Sequence, residues 1–139
     1  MWTCGACGRS FGRKGQGHEC APAMTFDEYF ATEPPWEREV FEAVRDHLEA
    51  LGPVHIEPVS VGILFKKART FVELRPMARW ESVSFLLPRR LRHDRITRTI
   101  PMPHGGCYHA IRATRAADID DQVREWLTES YLSEGAPTA

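Results

Sequence analysis

In VHIEPVSVGILFKKARTFVELRP, residues 54–76, apolar side chains return at every second position. Val54 and Ile56 alternate with His55 and Glu57, and Thr70, Val72 and Leu74 alternate with Phe71, Glu73 and Arg75. A period of two is the signature of a strand whose faces meet different surroundings. Working outward, the pattern predicts strands near 53–58, 61–66, 69–75, 82–87, 95–100 and 106–112. Pro58, Pro76, Pro88 and the turn from Pro101 to Gly106 punctuate them. Strands in succession with no helix between them predict an antiparallel meander, not a doubly wound sheet.

On either side the period becomes helical. Thr25-Phe26-Asp27-Glu28 matches a capping box for a short helix bearing Phe26, Tyr29 and Phe30. Pro34 and Pro35 then suit the start of a longer helix, with Val40, Phe41, Val44, Leu48 and Leu51 on one stripe, Glu37, Glu39, Glu42, Asp46 and Glu49 on the other, and Gly52-Pro53 as the stop. After the strands, Asp118 is expected to cap a last helix carrying Ile119, Val123, Trp126 and Leu127. The expected class is α+β: an antiparallel β-sheet flanked by N-terminal and C-terminal helices and preceded by a small zinc knuckle. The expected divisions are a knuckle at 1–20, a linker at 21–24, the body at 25–135 and a tail at 136–139.

The knuckle is read from Cys4 and Cys7, followed by Gly8, with His18 and Cys20 after a ten-residue gap. Three thiolates and one imidazole suit the tetrahedral preference of zinc and leave no position open for water, so one structural Zn2+ is expected. Large apolar groups in this stretch are limited to Trp2 and Phe11, too few to hold it by burial. A disulfide would leave an odd thiol among the three, and a thioredoxin-like motif would need a preceding strand.

Size, composition and charge narrow the class further. The chain has 139 residues, 42% of them hydrophobic, a net charge of −1 and a mean hydropathy of −0.38, values that fit one globular core and exclude collagen, coiled coil and wholesale disorder. No apolar run reaches the roughly 18 residues that span a bilayer, and Met1 to Gly5 lacks the pattern of a signal peptide, so no membrane partner and a cytoplasmic location are expected. The near-neutral total hides segregation. Residues 61–115 hold twelve Lys or Arg against Glu73, Glu81 and Asp94, whereas 21–60 hold nine acids against Arg38 and Arg45. Arg89, Arg90, Arg92, Arg95 and Arg98 crowd into ten residues.

Guanidinium groups grip phosphate oxygens with paired donors, so Arg9, Arg13, Lys14, Lys66, Lys67, Arg69, Arg89, Arg90, Arg92, Arg95 and Arg98 are candidate contacts to RNA or DNA. The plainer alternative is that acidic helices beside a basic sheet neutralise one another. A protein partner for the knuckle and the acidic helices is another reading. His93, Cys107, His109 and Arg112 form a possible small-ligand or catalytic set, since a thiol two residues from an imidazole on a strand can pair as nucleophile and base. No Gly-x-Ser-x-Gly elbow, His-Glu-x-x-His helix or phosphate-binding glycine loop is present, so recognition without chemistry is the expected role.

The cysteine head and several stretches of the body together resemble bacterial members of the domain of unknown function 5655 family that carry a zinc-finger-like head. These stretches are the helix around Pro35 to Leu51, Leu51 to Pro58, Leu87 to His93, Tyr108 to Arg112, and Asp118 to Asp121 with Trp126, Leu127 and Tyr131. The resemblance implies a compact helix–sheet–helix body and supplies no activity.

Overall fold

A computed structural model describes residues 1–18, 20, 24–31, 34–103 and 105–134. Two short strands, β1 (Trp2–Thr3) and β2 (Ser10–Phe11), lead into α1 (Phe26–Phe30) and α2 (Pro35–Leu51). Six strands follow: β3 (His55–Val59), β4 (Gly62–Lys66), β5 (Thr70–Pro76), β6 (Glu81–Leu87), β7 (Arg98–Pro101) and β8 (Cys107–Ala113). A 3-10 turn at Ala116–Asp118 and α3 (Asp121–Ser133) complete the described elements.

The helices start where capping chemistry says they should. At α1 the Thr25 hydroxyl accepts from the Glu28 N–H while the Glu28 carboxylate accepts from the Thr25 N–H, a reciprocal box. Pro35 opens α2, where its missing N–H costs nothing. The cap of α3 is Asp120, whose carboxylate accepts from the Val123 N–H, and not the expected Asp118. Asp118 instead accepts from the N–H and hydroxyl of Thr114, closing the turn two residues earlier. Two aspartates in Asp-Ile-Asp compete for one cap, and the buried Ile119 between them decides by pointing into the core.

All six body strands form one antiparallel sheet in the order β3-β4-β5-β6-β8-β7. The expected meander holds through β6 and then breaks, because β8 inserts between β6 and β7. The reason is compositional: β8 buries Cys107, His109, Ile111 and Ala113 in strict alternation, as an inner strand must, while β7 is short and mostly exposed. Pro101, at the end of β7, has no N–H to give a further neighbour and suits the edge.

Both long helices cover the same face of the sheet, α3 across β5 and β6 with α2 alongside it. Val40, Phe41, Val44 and Leu48 of α2 and Val123, Trp126 and Leu127 of α3 meet Phe65, Val72, Leu74, Val83, Phe85 and Ile111 of the sheet in one cluster. Phe85 is fully buried and stacks on Trp126, with centroids 5.7 Å apart. The opposite face of the sheet has no helix among the described residues. It carries Leu64, Glu73, Arg75, Ser82, Ser84, Tyr108, Ala110 and Arg112 in register across β4, β5, β6 and β8.

Candidate metal centre and open sheet face

The knuckle is a hairpin closed by its own cysteine turn. Trp2 pairs with Phe11 and Thr3 with Ser10. Between them the Cys4 N–H donates to the Arg9 carbonyl and the Gly8 N–H to the Cys4 carbonyl, each at 2.8 Å. Gly8 has φ of 75°, a left-handed conformation that a side chain there would strain. The chain then returns to bring His18 and Cys20 beside Cys4 and Cys7, and the four candidate ligand atoms lie within 4.8 Å of one another. Cys4 Sγ to Cys20 Sγ is 3.9 Å, Cys7 Sγ to His18 Nε2 is 3.4 Å, and Cys20 Sγ to His18 Nε2 is 3.2 Å.

These spacings and donors fit a tetrahedral metal ion. Bonds of about 2.3 Å to sulfur and about 2.0–2.1 Å to nitrogen give edges of about 3.8 Å between sulfurs and about 3.5 Å from sulfur to nitrogen. His18 Nδ1 donates to the Gln16 carbonyl at 2.7 Å, which fixes the tautomer and leaves the Nε2 lone pair facing the sulfurs. Its ring stacks on Phe11 with centroids 4.0 Å apart. The N–H groups of Cys7 and Ala6, aimed at Cys4, hold that thiol down at about 6. Cys20 is pushed up, first by desolvation and then by Cys4 and Cys7 beside it. Sulfurs this close resist ionising together unless a cation sits among them, so the donor set is arranged for one.

A buried ionic seam joins the knuckle to the open face at β3 and β4. Glu57 accepts from Arg9 Nε at 2.7 Å, the Ser10 N–H at 3.1 Å, Lys66 Nζ at 3.1 Å and His55 Nε2 at 3.1 Å. Lys66 Nζ also donates to the Ser10 carbonyl at 2.9 Å and lies 4.3 Å from the Phe11 ring centroid. The Lys66 and Glu57 side chains are each 5% exposed. Burial pushes the Glu57 carboxyl up, but Arg9, the Ser10 N–H and Lys66 together outweigh it and hold the group down at about 2. A Cβ on Gly12 would fall 2.1 Å from the Ala68 carbonyl oxygen, so glycine is what lets the knuckle backbone reach the β4–β5 turn.

The basic residues nominated from sequence divide into two groups. Arg9 and Lys66 are seam anchors, while Arg69 pairs with Glu134, Arg95 with Asp120, and Arg89 with Glu129 through two contacts of 2.8 and 2.9 Å. Lys67 donates to the Tyr131 carbonyl and lies over its ring. In this group acidic α3 neutralises basic loops and strands, the plainer reading of the charge pattern. The second group, Arg13, Lys14, Arg90, Arg92 and Arg98, is exposed. Arg90, Arg92 and Arg98 make no ion pair among the described residues.

Between the seam and β7 the open face is concave. One cavity of about 370 Å³ is lined by Glu73, Arg75, Met77, Ser82, Ser84, Arg98, Ile100, Tyr108, His109 and Ala110. A second, of about 360 Å³, reaches Arg9 and His18 of the knuckle and shares Glu73, Arg75 and Tyr108 with the first. Sequence reading missed Arg75, Ser82 and Ser84. Their signal was the polar half of each strand's alternation, which looks like ordinary solvent exposure until strand order is known.

A family model described as domain of unknown function DUF5655 matches residues 26–134, that is 109 of the 139 residues. The chain belongs to this family. No curated protein and no solved structure gives a significant match to the chain. The match covers the DUF5655 helix–sheet–helix body and begins after the cysteine head.

Within the DUF5655 body the set His93, Cys107, His109 and Arg112 is not assembled. Cys107 and His109 point to the helix side of β8, with His109 fully buried beside Phe85. Arg112 is on the opposite face, over the Trp80 ring at 4.0 Å. His93 packs edge-on against Trp126 and accepts from the Arg95 N–H. The Leu91 N–H donates to His109 Nε2 at 2.8 Å, which makes that nitrogen the unprotonated one and occupies its lone pair. Burial also holds the His109 imidazolium form down. With its acceptor nitrogen engaged, His109 has no base to offer Cys107. No described helix is long and apolar enough to cross a membrane.

Proposed function

We propose that this protein is a zinc-stabilised recognition protein that contacts nucleic acid through its exposed arginines and performs no chemistry on it. Cys4, Cys7, His18 and Cys20 hold one structural Zn2+, the ion whose bond lengths and soft-donor preference match three sulfurs and one imidazole at these spacings. Reduced thiols at that site require a reducing compartment, which supports a cytoplasmic location. The observation that carries the recognition reading is that Arg90, Arg92 and Arg98 are exposed and make no ion pair among the described residues, although acidic residues are numerous elsewhere. RNA and DNA present the same phosphate chemistry to these groups.

The test is twofold. Elemental analysis of purified protein should find one equivalent of zinc, lost in the Cys4→Ser, Cys7→Ser double variant. Binding to labelled RNA and DNA should weaken steeply with salt, because each neutralised phosphate releases counterions. Absent or salt-insensitive binding would refute the nucleic-acid reading. A protein partner remains the second reading, favoured by the exposed acidic groups Asp46 and Glu49 on α2, and a pulldown competed by polylysine would favour it.

A further inference from the structure

The concave open face brings Arg98 and Arg112, nominated from sequence for separate sites, together with Arg75, Ser82 and Ser84, and its charge is more specific than a scatter of arginines. We propose that it is a single-strand site, in which a short stretch of RNA or DNA lies across the sheet from β7 toward the knuckle. This deepens the nucleic-acid reading above and rests on it.

Register places the groups. Ser82 on β6 stands opposite Arg75 on β5 and Arg112 on β8, so Arg75, Ser82 and Arg112 form one row. In the next row Arg98, Ala110, Ser84 and Glu73 run from β7 to β5. Three inter-strand steps make that row about 14 Å long. Three arginines therefore edge a floor of small side chains. The floor has hydroxyls to offer, since neither serine side chain is hydrogen-bonded among the described residues, and small residues let a base approach the sheet.

Glu73 is the one acid on this floor. Its pair with Arg75 is exposed, with Arg75 56% accessible, and such pairs contribute little, so a phosphate can take Arg75 from it at small cost. Tyr108, its hydroxyl tied to the Thr70 carbonyl, borders both cavities with its ring held in place. Stacking on fixed aromatic rings together with tracking of the backbone by cations is how sequence-tolerant single-strand sites work. The two cavities share Glu73, Arg75 and Tyr108 and together run from β7 to the knuckle, which suits a chain. A duplex keeps its bases stacked inside and would offer these arginines its phosphates alone.

The experiment uses the full zinc-loaded chain and fluorescein-labelled octathymidylate and octauridylate, a duplex with the same number of phosphates, and octaglutamate as a competitor. We expect binding of the single strands with a log–log salt slope of about −2 for three contacts, equivalent to about 20-fold weaker binding at 200 mM than at 50 mM salt. Ser84→Trp, which fills the floor, should weaken binding at least 10-fold. Arg98→Glu on the exposed edge strand should do the same and decides the matter if Ser84→Trp fails to fold. Arg45→Ala, on α2 behind the sheet and paired with Asp46, should change single-strand affinity less than 3-fold. Unchanged affinity in Arg98→Glu and in a folded Ser84→Trp overturns the trough. Duplex binding that depends on Arg90 and Arg92 also overturns it while leaving the broader reading standing. Binding of neither oligonucleotide at 50 mM salt removes both, and equal affinity for octaglutamate reassigns the trough to an acidic peptide.

Discussion

The knuckle and the body solve the same problem by different means. The body gathers Phe65, Phe71, Phe85, Leu48, Ile63 and Ile111 into one interior and is held by their removal from water. Among the described residues of 1–20 only Phe11 is a large buried side chain, with Trp2 partly packed on it, and four donors are gathered around a point. Where the two meet, the contact is neither apolar nor metallic but ionic, the Arg9–Glu57–Lys66 seam. A region that cannot make a core thus offers four donors that can take a metal ion for cohesion, and is positioned by a buried carboxylate. The separation has a consequence: each region should fail alone.

Metal removal is the strongest way to break the comparison. Structural zinc contributes about 10–16 kcal/mol to peptides of this size, far more than the knuckle's side chains can replace. Chelation should therefore abolish hydrogen-exchange protection across residues 1–18 while the amides of β4, β5, β6 and β8 stay protected. Global unfolding on chelation would show that the body depends on its head. The converse prediction is Phe85→Ala, which removes a fully buried ring stacked on Trp126 and should cost about 3–5 kcal/mol. Chemical denaturation of the zinc-loaded variant should show that loss in the body transition, and the zinc content should remain one equivalent.

The seam comes next in size. Glu57→Gln leaves Lys66 buried without its counter-charge, and breaking such a pair costs about 3–5 kcal/mol when the remaining charge stays buried. The pH dependence has a definite sign. Glu57 has an ordinary value of 4.5 and is held at about 2 in the fold, so its contribution is fully present above about 4.5 and is lost as pH falls toward 2. Protons also displace metal from thiolates, so the quantity to measure is the difference between the parent protein and Glu57→Gln. That difference should be constant from pH 5 to 7 and shrink below 4.5. A difference that grew in acid would contradict the assignment.

What could be read before the structure was known was local. Capping at Thr25, the proline start of α2, the two-residue period of the strands and the spacing of the four metal donors from Cys4 to Cys20 are each confined to one short stretch of chain, and each is found as expected. What could not be read depends on partners far apart in sequence. Arg9 and Glu57 are 48 residues apart, and no local pattern marks Lys66 as an anchor while Arg98 stays exposed. The β7–β8 exchange has the same character: both segments read as strands, and only the complete sheet ranks one as inner and the other as edge. The open-face row of Arg75, Ser82 and Arg112 follows from that order, so it was invisible too. At Asp118 and Asp120 even a local choice failed, because two equivalent caps two residues apart differ only in which lets Ile119 reach the core.

The smallest expected effect bears on which arginines belong to the fold and which are free for a partner. Arg89 makes a two-point contact with Glu129 on α3, and Glu129 is held below the ordinary carboxylate range, chiefly by that hydrogen bond. The pair is half-exposed on the arginine side, so solvent screening limits its worth to about 0–1 kcal/mol. Arg89→Ala should lower Tm by about 1–3 °C in low salt and by less in 0.5 M salt. Arg90→Ala, with no such acid among the described residues, should leave Tm unchanged at both salt concentrations. If the two substitutions behave alike, the division between structural and exposed arginines is drawn in the wrong place; if they separate, Arg89 belongs to the body's ionic framework and Arg90 is available to a ligand.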